Sequence, residues 1–190
     1  MNNLSNRIWI TKRCRTITEK RLKSKSCISE ILIIYYSFLL VVVSIYGLAF
    51  PNDHTSMLNM LLALGSIAVL IISVVISGRK YAERALEMRI CYTDLDLIYE
   101  KCLKAENNNE DNQLLEIHES YSRILRSIEN HSDYDYLSLR YAHRNDIKFT
   151  QSKLSCSEIL FYYYSKGWRR GVIALLFMFP YFCYKILTLL

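Results

Sequence analysis

The sequence predicts an all-α membrane protein with an N-terminal transmembrane helical hairpin, a cytoplasmic helical bundle and a third, C-terminal transmembrane helix. Three observations lead to this fold class. Runs with no acidic or basic side chain occupy residues 31–52 and 57–77, and a third at 171–190 is interrupted only by Lys185. Between the second and third runs apolar residues recur at helical spacing, and no stretch alternates with the period of a strand. Gly and Pro, which break helices, number 5 and 2 in 190 residues.

All three runs are long enough to cross a bilayer as helices. A hydrocarbon layer about 30 Å thick is spanned by roughly 20 helical residues. Each Leu, Ile, Val or Phe near the bilayer centre favours insertion by roughly 0.3 to 0.6 kcal/mol, which predicts insertion of the first two runs. A cleaved signal peptide is disfavoured because the first run is too long and a second follows at once. A soluble hairpin buried on all sides is disfavoured because so small a chain could hardly cover it.

The break between the first two runs is predicted to be the turn of the hairpin. Pro51 disfavours helix at the residue before it and has no N–H with which to continue one. Asn52 and Asp53 supply turn and N-cap groups for the next helix. We therefore expect two antiparallel helices joined by a tight connection.

The distribution of charge predicts the orientation of these helices. Residues 1–30 hold eight Lys or Arg against two Glu, whereas the turn holds no Lys or Arg. By the positive-inside rule the N-terminus and the middle of the chain are cytoplasmic. The predicted segments are a basic cytoplasmic N-terminal helix (1–30), the transmembrane hairpin (31–78), a cytoplasmic helical region (79–170) and a third transmembrane segment (171–190). The residues expected to act as inner-side topology charges are Arg7, Lys12, Arg13, Arg15, Arg79, Lys80, Arg84, Arg169 and Arg170.

The cytoplasmic region is predicted to be a helical bundle. One apolar stripe at heptad spacing joins Tyr81, Ala85, Met88, Tyr92, Leu95, Tyr99 and Cys102, which predicts that the second membrane helix continues as one long rod. A polar loop at 105–113 should end the rod. A second stripe, Leu114, Ile117, Tyr121, Ile124 and Ile128, should pack back on the first. Use of the first stripe as an oligomer seam remains the alternative. Further helices are expected at about 134–143 and 147–166.

The residue patterns offer no enzyme chemistry. Phosphate-binding glycine motifs, nucleophile elbows and zinc-ligand spacings do not occur in the sequence. His131, Asp133 and Asp135 come nearest to a metal cluster, but alternate polar residues near a helix start are more often solvated. We therefore expect no catalytic activity, metal or cofactor. The basic N-terminus suits a topology signal better than a nucleic-acid site, so no direct nucleic-acid binding is expected.

Small and hydroxylated residues mark one face on each membrane helix. In lipid such faces let helices approach closely and hydrogen-bond, and they can also line a wet pore when several hairpins assemble. Tight packing and pore lining both remain open at this point. The candidate helix-packing or pore face consists of Ser37, Ser44, Gly65, Ser66, Ser73 and Ser77. Aromatic belts at the headgroup level account for most of the tyrosines, including those before the third run.

The order of these parts resembles a known family. The segments Arg7–Lys12 (RIWITK), Arg15 and Glu19–Leu22 (EKRL) precede the hairpin, and Arg79–Ala85 (RKYAERA) follows it. This arrangement is similar to the SLATT proteins, the bacterial "SMODS and SLOG-associating two-transmembrane effector" superfamily, and most closely to its fifth subfamily. The likeness covers nearly the whole chain, and the third run departs from the two-helix description.

The resemblance implies a membrane effector of antiphage or other conflict systems. Such effectors are proposed to oligomerise and perforate the bacterial inner membrane when a partner signals infection. The implied partners are a nucleotide-second-messenger synthase, a SLOG sensor or a reverse transcriptase, and no catalytic residues carry over. The alternative from another class is a non-toxic membrane anchor or scaffold that recruits a cytoplasmic partner through its helical bundle.

Overall fold

A computed structural model describes residues 4–49, 55–108, 110–127, 132–144 and 154–187, and these residues are helical apart from short connections. Across them no strand occurs, so the predicted all-α class is confirmed. The helices, numbered here in chain order, are α1 (Leu4–Ala49), α2 (Thr55–Gly78), α3 (Tyr81–Asn108), α4 (Asp111–Ser127), α5 (Asp133–Ala142) and α6 (Cys156–Leu187).

The chain forms two compact units. The hairpin unit comprises Glu19–Arg89, and the bundle unit comprises Met1–Thr18 together with Ile90–Leu190. Helix α1 supplies residues to both units, because its first turns belong to the bundle unit and the rest belongs to the hairpin unit.

In the hairpin unit α1 and α2 pack against each other as antiparallel helices. A Cβ added at Gly47 would lie 3.0 Å from the Leu58 side chain, and one added at Gly65 would lie 3.1 Å from that of Leu40. The partner of the later residue in α1 is the earlier residue in α2, which is the pairing of antiparallel helices. The predicted hairpin is therefore present in the described parts of both helices.

The outer faces of this hairpin are apolar and exposed. Two helical stretches, within Leu4–Ala49 and within Ser56–Asn108, are long and apolar enough to cross a membrane, and only 6% and 0% of their most apolar windows is buried inside the protein. A core helix of a soluble protein would bury most of such a stretch. Lipid is the solvent that suits these faces, so the chain is an all-α membrane protein.

The predicted continuous rod from the second membrane helix into the next is wrong. Helix α2 ends at Gly78 and α3 begins at Tyr81. Between them the N–H of Lys80 bonds to the carbonyl of Ser77, three residues earlier (3.1 Å), and Lys80 has φ 49°, in the left-handed region. Glycine near a helix end favours such termination. The Lys80 ammonium then binds Glu83 in the first turn of α3 (2.9 Å), where a carboxylate suits the helix dipole.

The bundle unit has the core that the two apolar stripes predict. Residues of the α3 stripe and of the α4 stripe lie in one buried cluster, so the prediction that the second stripe packs on the first is confirmed for the described residues; Ile128 lies outside them. Ile8 from the start of α1 is fully buried in the same cluster. The buried members are Ile8, Cys91, Leu95, Cys102, Ala105, Ile117 and Tyr121.

Three helix bounds differ from those predicted. The polar loop expected at 105–113 is shorter, because Ala105 is buried in the core and α3 continues to Asn108. Helix α5 agrees with the predicted 134–143 within a residue. Helix α6 begins at Cys156 rather than near 147, and it continues past the predicted end at 166 through Pro180 to Leu187. Residues 145–153 lie outside the described part of the chain.

Candidate functional site

The small-residue face predicted on the hairpin divides into two groups. Gly65 and Ser73 are half-buried on the side of α2 that carries the Gly65–Leu40 contact. The hydroxyls of Ser66 and Ser73 donate to the carbonyls of Ala63 (2.8 Å) and Leu70 (2.7 Å) in their own helix. The exposed members are Ser37, Ser44, Ser66 and Ser77.

Gly47 is a packing residue that the sequence pattern does not mark. It is buried, and its missing Cβ leaves room for Leu58. Its position three residues after Ser44 places it beside the predicted face, on the same side of α1. Close approach at Gly47 and Gly65 allows extensive contact between helices without a hydrophobic driving force, which lipid does not supply.

We expect Gly65→Leu to open the hairpin and reduce its activity. A Cβ at position 65 lies 3.1 Å from Leu40, and the further atoms of a leucine require both the Leu40 side chain and the helices to shift. Because leucine is more apolar than glycine, membrane insertion should be unaffected. Disulfide crosslinking between cysteines placed at positions 47 and 58 should fall several-fold. The control is Gly171→Leu, since a Cβ at Gly171 meets nothing within 4 Å; equal crosslinking in both variants would contradict the packing role.

The remaining predicted site residues have varied environments. Pro51, Asn52 and Asp53, the predicted turn, lie outside the described residues. Arg79 and Arg170 are exposed, as are Arg7 and Arg13. Several other topology charges have structural contacts: Lys80 pairs with Glu83, Lys12 pairs with Asp96, and Arg169 lies 4.3 Å from the ring centroid of Tyr134. Arg84 is half-buried and Arg15 is 1% exposed.

A polar network surrounds the buried carboxylate of Asp135. This residue is fully buried at the start of α5, and its Oδ2 accepts hydrogen bonds from the Thr18 hydroxyl (2.9 Å) and the Ser132 hydroxyl (2.8 Å). The backbone N–H of Ser132 donates to the same oxygen (3.3 Å), which completes the capping arrangement of α5. The network ties the start of α1 to α5. Asp135, which the sequence placed in the nearest approach to a metal cluster, therefore uses its carboxylate to accept hydrogen bonds that hold the bundle together.

The first turns of α1 make further polar contacts with α3 and α4. Lys12 pairs with Asp96 of α3, and the hydroxyls of Thr11 and Tyr121 are 2.8 Å apart. The N–H of Ser5 donates to Glu106 (3.1 Å). The basic N-terminal segment therefore acts as a packed element of the bundle unit, a role that charge counting alone does not reveal.

Three cysteines of the bundle unit, Cys14, Cys91 and Cys102, are buried. Burial, reinforced by the nearby carboxylate of Asp135, raises the pKa of Cys14 from 9.0 to about 12. Burial together with Glu106 raises the pKa of Cys102 to about 11, and burial raises that of Cys91. Such thiols are protonated and unreactive at neutral pH.

We expect a thiol-reactive maleimide to modify the exposed Cys27 and Cys156 in the native protein while sparing Cys14, Cys91 and Cys102. Site-resolved mass spectrometry before and after denaturation measures this. Because the folded-state pKa of Cys14 is raised, its stabilising contribution is complete below pH 9.0 and is lost as the pH rises toward 12. Rapid native labelling of Cys14 would contradict the packed bundle.

Among the described residues no group of three or more His, Cys, Asp or Glu could hold a metal ion. Comparison with curated proteins and with solved structures finds no match. A family comparison matches residues 1–187 to SMODS and SLOG-associating 2TM effector domain family 5. The match includes all six helices, α1 to α6. With its antiparallel apolar hairpin and helical bundle, the chain belongs to this family of membrane effectors of conflict systems.

Proposed function

We propose that this chain is a pore-forming effector of a bacterial antiphage or conflict system. On a signal from a partner, copies of the chain assemble in the inner membrane, and their hairpins open a path for ions and small molecules. The result is death or arrest of the cell. Family membership supports the effector role, and the hairpin supports the mechanism.

The observation that carries the proposal is the pair of faces on the hairpin. One face packs α1 on α2 through Gly47 and Gly65, whereas the outward surface combines lipid-suited side chains with the exposed hydroxyl residues Ser37, Ser44, Ser66 and Ser77. Ser37 and Ser44 are seven residues apart, which places them on one side of α1. A single hairpin encloses no channel, so these hydroxyl faces line a pore only after several copies assemble.

The proposal includes the topology that the charge distribution predicts. The N-terminus and the part of the bundle unit that precedes residue 171 lie in the cytoplasm, where a partner can reach them, and the hairpin turn lies outside. The third apolar run, in the C-terminal half of α6, crosses the membrane with Pro180 inside the helix and Lys185 near the far interface. The expected partners are a nucleotide-second-messenger synthase, a SLOG sensor or a reverse transcriptase, in keeping with the association stated in the family description.

Membrane permeability in expressing cells tests the pore. Induction, alone or with an activating partner, should depolarise the cells and admit a membrane-impermeant dye before growth stops. Intact membranes despite confirmed activation would overturn the proposal. In that case recruitment of the partner to the membrane, lost on deletion of the hairpin, would favour a scaffold.

We expect a periplasmic reporter enzyme fused after Leu190 to be active. The positive-inside rule places the C-terminus outside if α6 spans, because Lys166, Arg169 and Arg170 precede the apolar run. The matched control is the same reporter inserted in the α3–α4 connection at Asn109, which should be inactive. An inactive C-terminal fusion that is nevertheless intact would contradict the third span.

A further inference from the structure

Three stacked tyrosine rings join α5 to α6. Tyr162 is buried between Tyr141, at a centroid distance of 4.5 Å and an interplanar angle of 20°, and Tyr134, at 6.0 Å and 13°. The hydroxyls of Tyr141 and Tyr163 are hydrogen-bonded. Stacked rings with a buried central member form a rigid platform. We call Tyr134, Tyr141 and Tyr162 the tyrosine row.

Each ring of the tyrosine row carries a cation. The Arg169 guanidinium lies 4.3 Å from the centroid of Tyr134, the Lys166 ammonium 5.5 Å from Tyr162, and the Arg144 guanidinium 5.0 Å from Tyr141. These cation–π contacts hold three flexible side chains along the tyrosine row, which lowers the entropic cost of binding an anion to each of them.

Acidic side chains also lie close to the row, among them Asp133 beside Tyr134. The nearby carboxylate of Glu158 already accepts bonds from Arg140 (2.7 Å) and from the Ser155 N–H (2.9 Å). A hydrogen bond with Tyr163 lowers the pKa of Tyr141, and the positive charges of Arg144 and Lys166 lower it further. A phosphate-bearing ligand fits this charge.

An exposed stripe runs along a different side of α6, from the level of the tyrosine row into the apolar part of the helix. Its members recur at intervals of three or four residues. Tyr and Trp occur only in its first part, and after Trp168 the stripe contains only Val, Leu and Phe. Tyr164 and Trp168 stack at 6.3 Å. From first to last the stripe is about 32 Å long at 1.5 Å per residue, so it extends from the aromatic residues well into the apolar run. The stripe consists of Phe161, Tyr164, Trp168, Val172, Leu175, Phe179 and Phe182.

We propose that Arg144, Lys166 and Arg169, held on the tyrosine row, bind anionic phospholipid headgroups at the membrane–water interface. Tyr164 and Trp168 then lie in the headgroup layer, where amphipathic rings are most stable. Lys166 and Arg169 closely precede the apolar run of the same helix, which favours a lipid over a soluble anion, because a lipid carries its charge directly beside a hydrocarbon surface. This inference rests on the proposed membrane insertion of α6.

Lipid selectivity measured from Trp168 tests the inference. The chain has two tryptophans, and Trp9→Phe leaves Trp168 as the donor. The full-length protein is reconstituted in phosphatidylcholine nanodiscs that contain a pyrene-labelled phosphatidylglycerol or the matching labelled phosphatidylcholine. Energy transfer then gives the local enrichment of each lipid. Near a membrane each cation contributes about fivefold in affinity for anionic lipid, so we expect phosphatidylglycerol to be enriched at least about fivefold.

The triple substitution Arg144→Gln, Lys166→Gln and Arg169→Gln should reduce this enrichment to about one. The control Lys101→Gln, Lys104→Gln and Arg126→Gln removes the same charge from exposed positions elsewhere in the bundle unit and should leave it unchanged. High salt should abolish the enrichment in the unsubstituted protein, a readout that needs no variant to fold.

Equal transfer to both lipids, enrichment that survives the triple substitution, or equal loss in the control would overturn the inference. Displacement of the labelled phosphatidylglycerol by ATP would assign the surface to a soluble nucleotide and would also overturn it. These outcomes are independent of pore formation. An active C-terminal reporter without lipid enrichment would overturn the inference and leave the third span standing.

Discussion

Leu70→Arg should abolish the activity of the hairpin. Leu70 lies in the middle of α2 and is 64% exposed on its outer surface. An arginine at the centre of a membrane helix costs about 2.5 to 3.5 kcal/mol of insertion free energy. In expressing cells the variant should admit no dye, and the fraction of α2 that inserts should fall in a glycosylation or reporter assay.

The control is the same leucine-to-arginine substitution at a position that is exposed to water instead of lipid. Leu115 of α4 is 65% exposed, so its exposure matches that of Leu70, but it lies in the bundle unit. Leu115→Arg should retain full activity because water solvates the new charge. A fully toxic and inserted Leu70→Arg protein would remove α2 from the mechanism. Loss of activity in both variants would show that the charge acts through something other than lipid.

Asp135→Ala should destabilise the bundle unit by about 3 kcal/mol. The substitution removes the acceptor used by Thr18 and Ser132, and buried donors without a partner cost about 1 to 3 kcal/mol each. Against a typical total of about 5 to 15 kcal/mol this is a large loss. Thermal unfolding in detergent, followed by protease sensitivity of the α4–α5 connection, measures it.

Asp133→Ala is the matched control for this effect. Asp133 is exposed in the same first turn of α5, so both substitutions remove one favourable charge from the N-terminus of the helix. We expect Asp133→Ala to change stability by less than about 1 kcal/mol. A comparable loss in the two variants would mean that helix-dipole effects, rather than the buried network, account for the role of Asp135.

The hairpin was predictable because membrane insertion depends on runs of neighbouring residues. Charge-free stretches of sufficient length specify two spanning helices without knowledge of any contact between them. The α3 and α4 stripes were predictable for a similar reason, since heptad spacing is local and each stripe needs a partner. The positions of Gly47 and Leu58, by contrast, depend on the register between helices, which neither helix specifies alone.

The role of the basic N-terminal segment was not predictable from charge. Its contacts, Ser5 with Glu106 and Lys12 with Asp96, join residues about a hundred positions apart along the chain. A weak signal does exist in hindsight. Ile8, Thr11, Thr18 and Leu22 recur at multiples of three to four residues, but half of them are polar, and apolar patterning does not detect a helix face that packs through hydroxyls.

The break between α2 and α3 was missed because an apolar stripe at helical spacing begins directly after it, at Tyr81. Gly78 was the one local sign, and a glycine inside a helical pattern is often tolerated. Lys80 adopts its left-handed conformation through the fold rather than through its own preference, since such a conformation costs a non-glycine residue about 1 to 2 kcal/mol.

Membrane extraction tests the central claim most directly, because the account requires lipid to be the solvent of α1 and α2. After cell disruption the full chain should remain in the membrane pellet through alkaline carbonate washing and should dissolve only with detergent. Recovery of the intact chain as a monodisperse species in detergent-free buffer would contradict the account.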